Sequence, residues 1–138
     1  MGRVLAIDYG RRRTGLAVTD PLRISATPLL TVPTHQLLDW LDNYFQSECV
    51  EEVVIGMPRR MNGEKSESMN YIEPFIKQFR KRFPEMKLVG FDERFTSVLA
   101  HKAMIDGGMK RKDRQDKAMV DKIAACIILE DYLSSRGN

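Results

Sequence analysis

An unbroken apolar run at residues 4–7 (Val-Leu-Ala-Ile) stops at Asp8, with Gly10 two positions on: a strand that ends in a turn. Residues 14–19 (Thr-Gly-Leu-Ala-Val-Thr) read as a second strand, closed by the turn signal Asp20-Pro21. Residues 24–32 are extended and Thr-rich, and Pro28 confines them to an edge strand. Three short strands with tight links predict an antiparallel meander. The period then lengthens. Thr34 is placed to cap a helix in which Leu37, Leu38, Leu41, Tyr44 and Phe45 recur at helical spacing. A β-branched run at 52–56 predicts the fourth strand, and a polar loop with Asn62-Gly63 follows it. Ile72, Phe75, Ile76 and Phe79 mark one face of a helix over 68–83, and residues 87–91 form the fifth strand. Thr96 or Ser97 caps a short helix through Ile105, ended by Gly107-Gly108, before a final helix over roughly 117–134.

The order βββαβαβα, with one short extra helix, predicts an α/β fold: a five-stranded mixed sheet whose opening strands are antiparallel and whose later ones are parallel. Helices flank it. A chain of 138 residues is the size of one domain, here 1–138, with 43% hydrophobic and 30% charged residues. No apolar run approaches the ~18 residues of a membrane span. The opening residues lack the apolar core and cleavage site of a signal peptide. Cys49 and Cys126 have neither metal spacing nor the makings of a disulfide framework. The expected location is the cytoplasm.

Three acids stand where the apolar pattern breaks. Asp8 closes the first strand and Asp92-Glu93 closes the fifth. In a parallel arrangement both lie at the carboxyl edge of the sheet, where α/β folds hold their ligands. Asp121 shares a helix face with Ala125, Ile128 and Tyr132, at the N-terminal end of a sheet-facing stripe. Carboxylates so gathered repel one another unless a cation intervenes. For an all-oxygen site the fitting cation is Mg²⁺ or Mn²⁺. Two such ions ~4 Å apart clamp the attacking and leaving oxygens of a phosphodiester. Asp8 would bridge them while Glu93 and Asp121 each hold one; whether Asp92 joins is open. Each acid also has a plainer explanation: a turn at Asp8, a solvated strand end or an Arg94 partner for Asp92, a helix-dipole acid at Asp121. His35 and His101 have no second ligand at metal spacing.

The net charge of +3 decides little, but the basic residues cluster. Arg11, Arg12 and Arg13 follow the Asp8 turn, and Arg59 and Arg60 follow the fourth strand. Arg94 adjoins the acids, and Lys110, Arg111, Lys112, Arg114 and Lys117 precede the final helix. Together they form a candidate phosphate-binding rim, although any one cluster could be a solvated face. Few aromatics accompany them, which favours backbone or shape recognition over base stacking.

These residues resemble a known family. Ile7-Asp8-Tyr9-Gly10 with Thr14-Gly15-Leu16-Ala17-Val18 is similar to the opening motif of the YqgF family, also called RuvX. Val54-Ile55-Gly56-Met57-Pro58 with Asn62-Gly63 resembles its middle motif, Asp92-Glu93-Arg94-Phe95-Thr96-Ser97 its acidic motif, and Asp121 through Leu129 its last helix. The resemblance spans essentially the whole chain. It implies a ribonuclease H-like fold related to the Holliday-junction resolvase RuvC. It also implies a nuclease that matures the 5′ end of precursor 16S ribosomal RNA, with Asp8, Glu93 and Asp121 as catalytic acids. Arg11-Arg12-Arg13 stands where Thr-Lys-type residues are commoner, and Phe95-Thr96-Ser97 replaces a Leu-Thr-Thr ending.

The expected partner is therefore nucleic acid: precursor rRNA, met free or on ribosome-assembly intermediates, or else branched DNA. Two-fold cutting of a four-way junction needs a homodimer, whereas RNA processing is compatible with a monomer. A non-catalytic RNA-binding assembly factor is the alternative from another class. The Asp-x-Gly turn also opens actin-type ATPases, but those need two such lobes and 138 residues supply one.

Overall fold

The computed structural model describes residues 2–58, 67–92 and 117–135, with side chains from residue 120 onward in the last stretch. Among them lie β1 (Arg3–Asp8), β2 (Arg13–Thr19), β3 (Ala26–Pro33), a 3-10 turn (Thr34–Gln36), α1 (Leu37–Ser47), β4 (Val50–Met57), α2 (Met69–Arg82), β5 (Lys87–Asp92) and α3 (Lys117–Ser135). The short helix expected near 96–105, the polar loop at 59–65 and most of the charged stretch at 107–117 fall outside the described residues.

The sheet order is β3-β2-β1-β4-β5. β1 pairs antiparallel with β2, which pairs antiparallel with β3. β4 runs parallel to both β1 and β5. The mixed topology and the edge position of the Pro28 strand are as the sequence implies. β3 starts at Ala26 rather than Ile24 because the two residues before it serve a turn. The N–H groups of Leu22, Ile24 and Ser25 donate to the Asp20 carboxylate, and Arg23 adopts φ 59°. The Ser25 donor leads those that hold the Asp20 carboxyl below the usual carboxylate range.

Alternation along the strands feeds two cores. Leu5, Ile7, Leu16, Val18, Val53 and Ile55 face α1 and α2, meeting Leu37, Leu41, Ile72, Phe75 and Phe79. Val4, Ala6, Ala17 and Val54 face α3. The second core shows why β1 and β2 carry alanine there: small side chains let the helix sit low on the sheet. α3 departs from the expected single stripe. Ala124 through Leu129 are all buried, as are Tyr132 and Leu133, because the helix packs across β3, β2, β1 and β4.

Thr34 does not cap α1 with its side chain. Its hydroxyl donates instead to the Gly10 carbonyl (2.7 Å), which leaves Thr14 to donate to Thr34 Oγ1 (2.9 Å), while the Thr34 N–H donates to Arg12 O (3.0 Å). The chain between β1 and β2 is thereby tied to the end of β3.

Candidate active site

Asp8 is the last residue of the central strand, and the register sets it opposite Gly15 of β2. Both share the face of Val4, Ala6 and Ala17, the face that α3 covers. Gly15 has a specific duty. A Cβ at that position would collide with the Asp121 carbonyl oxygen and carbon, so the first turns of α3 rest directly on β2 backbone. Cross-strand partners lie about 5 Å apart. The Asp8 and Asp121 backbones are therefore separated by little more than one strand spacing, at the carboxyl end of β1.

Asp121 is itself engaged. Arg13 Nε donates to Asp121 Oδ2 at 2.6 Å, across 108 residues of sequence, with the side chains 39% and 20% exposed. Arg13 thus meets an acid rather than only solvent. Arg11 and Arg12 are exposed, and the Arg11 guanidinium lies 5.8 Å over the Tyr71 ring. Gly10 admits this tight turn, since a Cβ there would strike the Arg13 carbonyl oxygen.

Asp92 ends β5, on the same sheet edge as Asp8 but not on the same face. Its register partner is Met57, and its parity is that of Leu88 and Gly90 on the α2 side, whereas Val89 and Phe91 face α3. With β4 intervening, about 10 Å separates the backbones of β1 and β5. Glu93, Arg94, Arg59, Arg60, Lys110, Arg111, Lys112 and Arg114 lie outside the described residues, and Lys117 is described only as backbone at the start of α3. Among the described residues no three His, Cys, Asp or Glu groups gather into a metal cluster.

Sequence patterns missed three features of this edge. Gly15 carries no chemical signature of its own and Thr34 only that of a helix cap, and only the tertiary contacts reveal what they hold. Tyr9 follows Asp8 and packs at 4.6 Å from Phe75 and 6.0 Å from Tyr71, and burial, then the Tyr71 hydroxyl, pushes its phenol above the usual range. Beside it, Arg11, Glu67, Ser68, Asn70 and Tyr71 line a polar cleft of about 430 Å³.

The carboxylates are hard oxygen donors of the kind that Mg²⁺ and Mn²⁺ prefer. The Arg13 guanidinium seated on Asp121 shows that this position accepts a cation. Among the described residues no helix is long and apolar enough to cross a membrane.

The RuvX family model, described as Holliday junction resolvase, matches residues 2–135. A protein of Bacteroides fragilis named as a pre-16S rRNA nuclease is 55% identical over 136 residues, covering 99% of each chain. Its namesake in Phocaeicola vulgatus is 57% identical over 99% of this chain and 98% of its own, and that of Flavobacterium johnsoniae 52% over 99% of both. Among solved structures, Thermus thermophilus RuvC in complex with a Holliday junction substrate superposes with a TM-score of 0.56 at 13% identity, over 99% of this chain and 97% of that one. The sheet order and flanking helices are those of a RuvC-like, ribonuclease H-type fold, and the chain belongs to the RuvX family.

Proposed function

We propose that this chain, acting as one domain in the cytoplasm, is a divalent-metal-dependent nuclease that hydrolyses phosphodiester bonds of precursor 16S ribosomal RNA. The observation that carries the reading is the seat of α3 on Gly15, which holds Asp121 beside Asp8 at the carboxyl end of the central strand. The names of its relatives, more than half identical over nearly full length, supply the RNA substrate.

Asp8, Glu93 and Asp121 are the residues that would hold Mg²⁺ or Mn²⁺, one ion or two. Such ions lower the pKa of a bound water and stabilise the leaving oxygen. Glu93 is preferred to Asp92 because Asp92 has the parity of the opposite face. Arg11 and Arg12, exposed on a turn pinned by Thr34, would grip backbone phosphates and orient the strand across the acids. Arg59, Arg60, Arg94, Lys110, Arg111, Lys112, Arg114 and Lys117 would extend that rim, on free RNA or on ribosome-assembly intermediates.

The test is cleavage of a transcript spanning the 16S 5′ end in Mn²⁺. Metal ions contribute several kcal/mol to such reactions, so Asp8→Asn should lower the rate about 100-fold or more while RNA binding persists. Full activity in that variant would overturn the proposal. The family description and the RuvC likeness favour a second reading, resolution of branched DNA by a homodimer. A four-way junction assayed in parallel, with the oligomeric state, separates the two.

A further inference from the structure

The Arg13–Asp121 pair joins two rigidly held backbones. Arg13 follows a turn that Thr34 pins at Gly10 and Arg12, and Asp121 sits on Gly15. Little rearrangement is needed to form the contact, and a guanidinium does not shed its charge in a protein. The arginine can leave Asp121 only by turning away, and at 39% exposure it has room to do so. Accepting the nuclease reading, on which this argument rests, the same carboxylate is needed by a divalent cation. A +1 and a +2 charge against one carboxylate repel each other.

We infer that the Arg13 guanidinium occupies Asp121 as a built-in counter-cation, and that metal loading releases it to the phosphodiester backbone. Metal and nucleic acid then assist each other's binding. A metal that claims Asp121 frees an arginine for phosphate, and with nucleic acid bound the displaced arginine has a phosphate to take, so the metal claims Asp121 at lower cost. Linkage makes the two effects equal.

Two measurements without turnover test this. By calorimetry on the nucleic-acid-free protein, Arg13→Gln should bind Mn²⁺ about two- to fivefold more tightly than wild type, the worth of a half-exposed ion pair. Arg13→Lys, which keeps the charge, should return the affinity toward wild type. An unchanged or weaker affinity in Arg13→Gln, with its circular dichroism intact, overturns the inference. In EDTA, RNA affinity is then measured against salt. Arg13→Gln should leave the slope of the wild type unaltered, because the arginine is already occupied. Asp121→Asn should steepen it by about one phosphate contact, and the double variant should lose that gain. A shallower slope in Arg13→Gln alone would show the arginine on phosphate without metal and overturn the inference. If wild type binds no Mn²⁺ at all, it is the nuclease proposal that fails, and the salt slopes alone decide whether Asp121 holds Arg13.

Discussion

Gly15 does the work of a spacer with no side chain. Any Cβ there must displace the Asp121 carbonyl, and moving a packed helix to admit one methyl group costs about 1–3 kcal/mol. Gly15→Ala should lower thermal stability by that amount and, by lifting Asp121 away from Asp8, reduce cleavage more than RNA binding; melting and anisotropy measurements check the two halves. Cys126 illustrates the opposite case, a reactive atom made inert by its setting. Cys49 is exposed, whereas Cys126 is buried in α3, where desolvation first and Glu130 second push its thiol from an ordinary 9.0 up to about 12. A thiol reagent at pH 8 should titrate one sulfhydryl per native chain and two in denaturant. Because the folded value is raised, the contribution of Cys126 to stability is complete below pH 9 and is lost as the pH climbs toward 12.

At the scale of the element, α3 is fastened at both ends. Near its start Asp121 meets Arg13, and near its end the Tyr132 hydroxyl donates to Glu52 Oε1 at 2.6 Å, a carboxylate 3% exposed that Lys87 also reaches at 2.9 Å. Tyr132→Phe would strip a buried acid of a donor, at about 1–3 kcal/mol in denaturant unfolding. The same helix shows how far periodicity reaches. Asp121, Ala125, Ile128 and Tyr132 form a legible stripe, yet burial of all six residues from Ala124 to Leu129 depends on how α3 crosses four strands, which no local pattern encodes. Pro28 made β3 legible as an edge, because a missing N–H is a local fact. Thr34 was illegible for the converse reason: a hydroxyl before a helix signals a cap, and only the nearness of Gly10 redirects it.

Over the whole molecule, a mixed sheet flanked by helices was readable from strand alternation and element order, whereas the split of two helices on one face and one on the other emerges only from the packing. Asp8 was also legible as the end of β1, at the carboxyl edge of the sheet where parallel topology sends chemistry. The two faces were harder. The sequence left open whether Asp92 joins the site, and only its pairing with Met57 shows that it carries the parity of the α2 face. Arg13, read as one of three equal cations, turned out to be singled out by an acid 108 residues away.

That long span has a consequence for synthesis. β1, α1 and α2 all precede Asp121 in the chain, so a partly translated chain holds the opening acid without its companion. On the proposed mechanism, such a chain gains its cutting edge only when its last helix settles onto a single bare glycine.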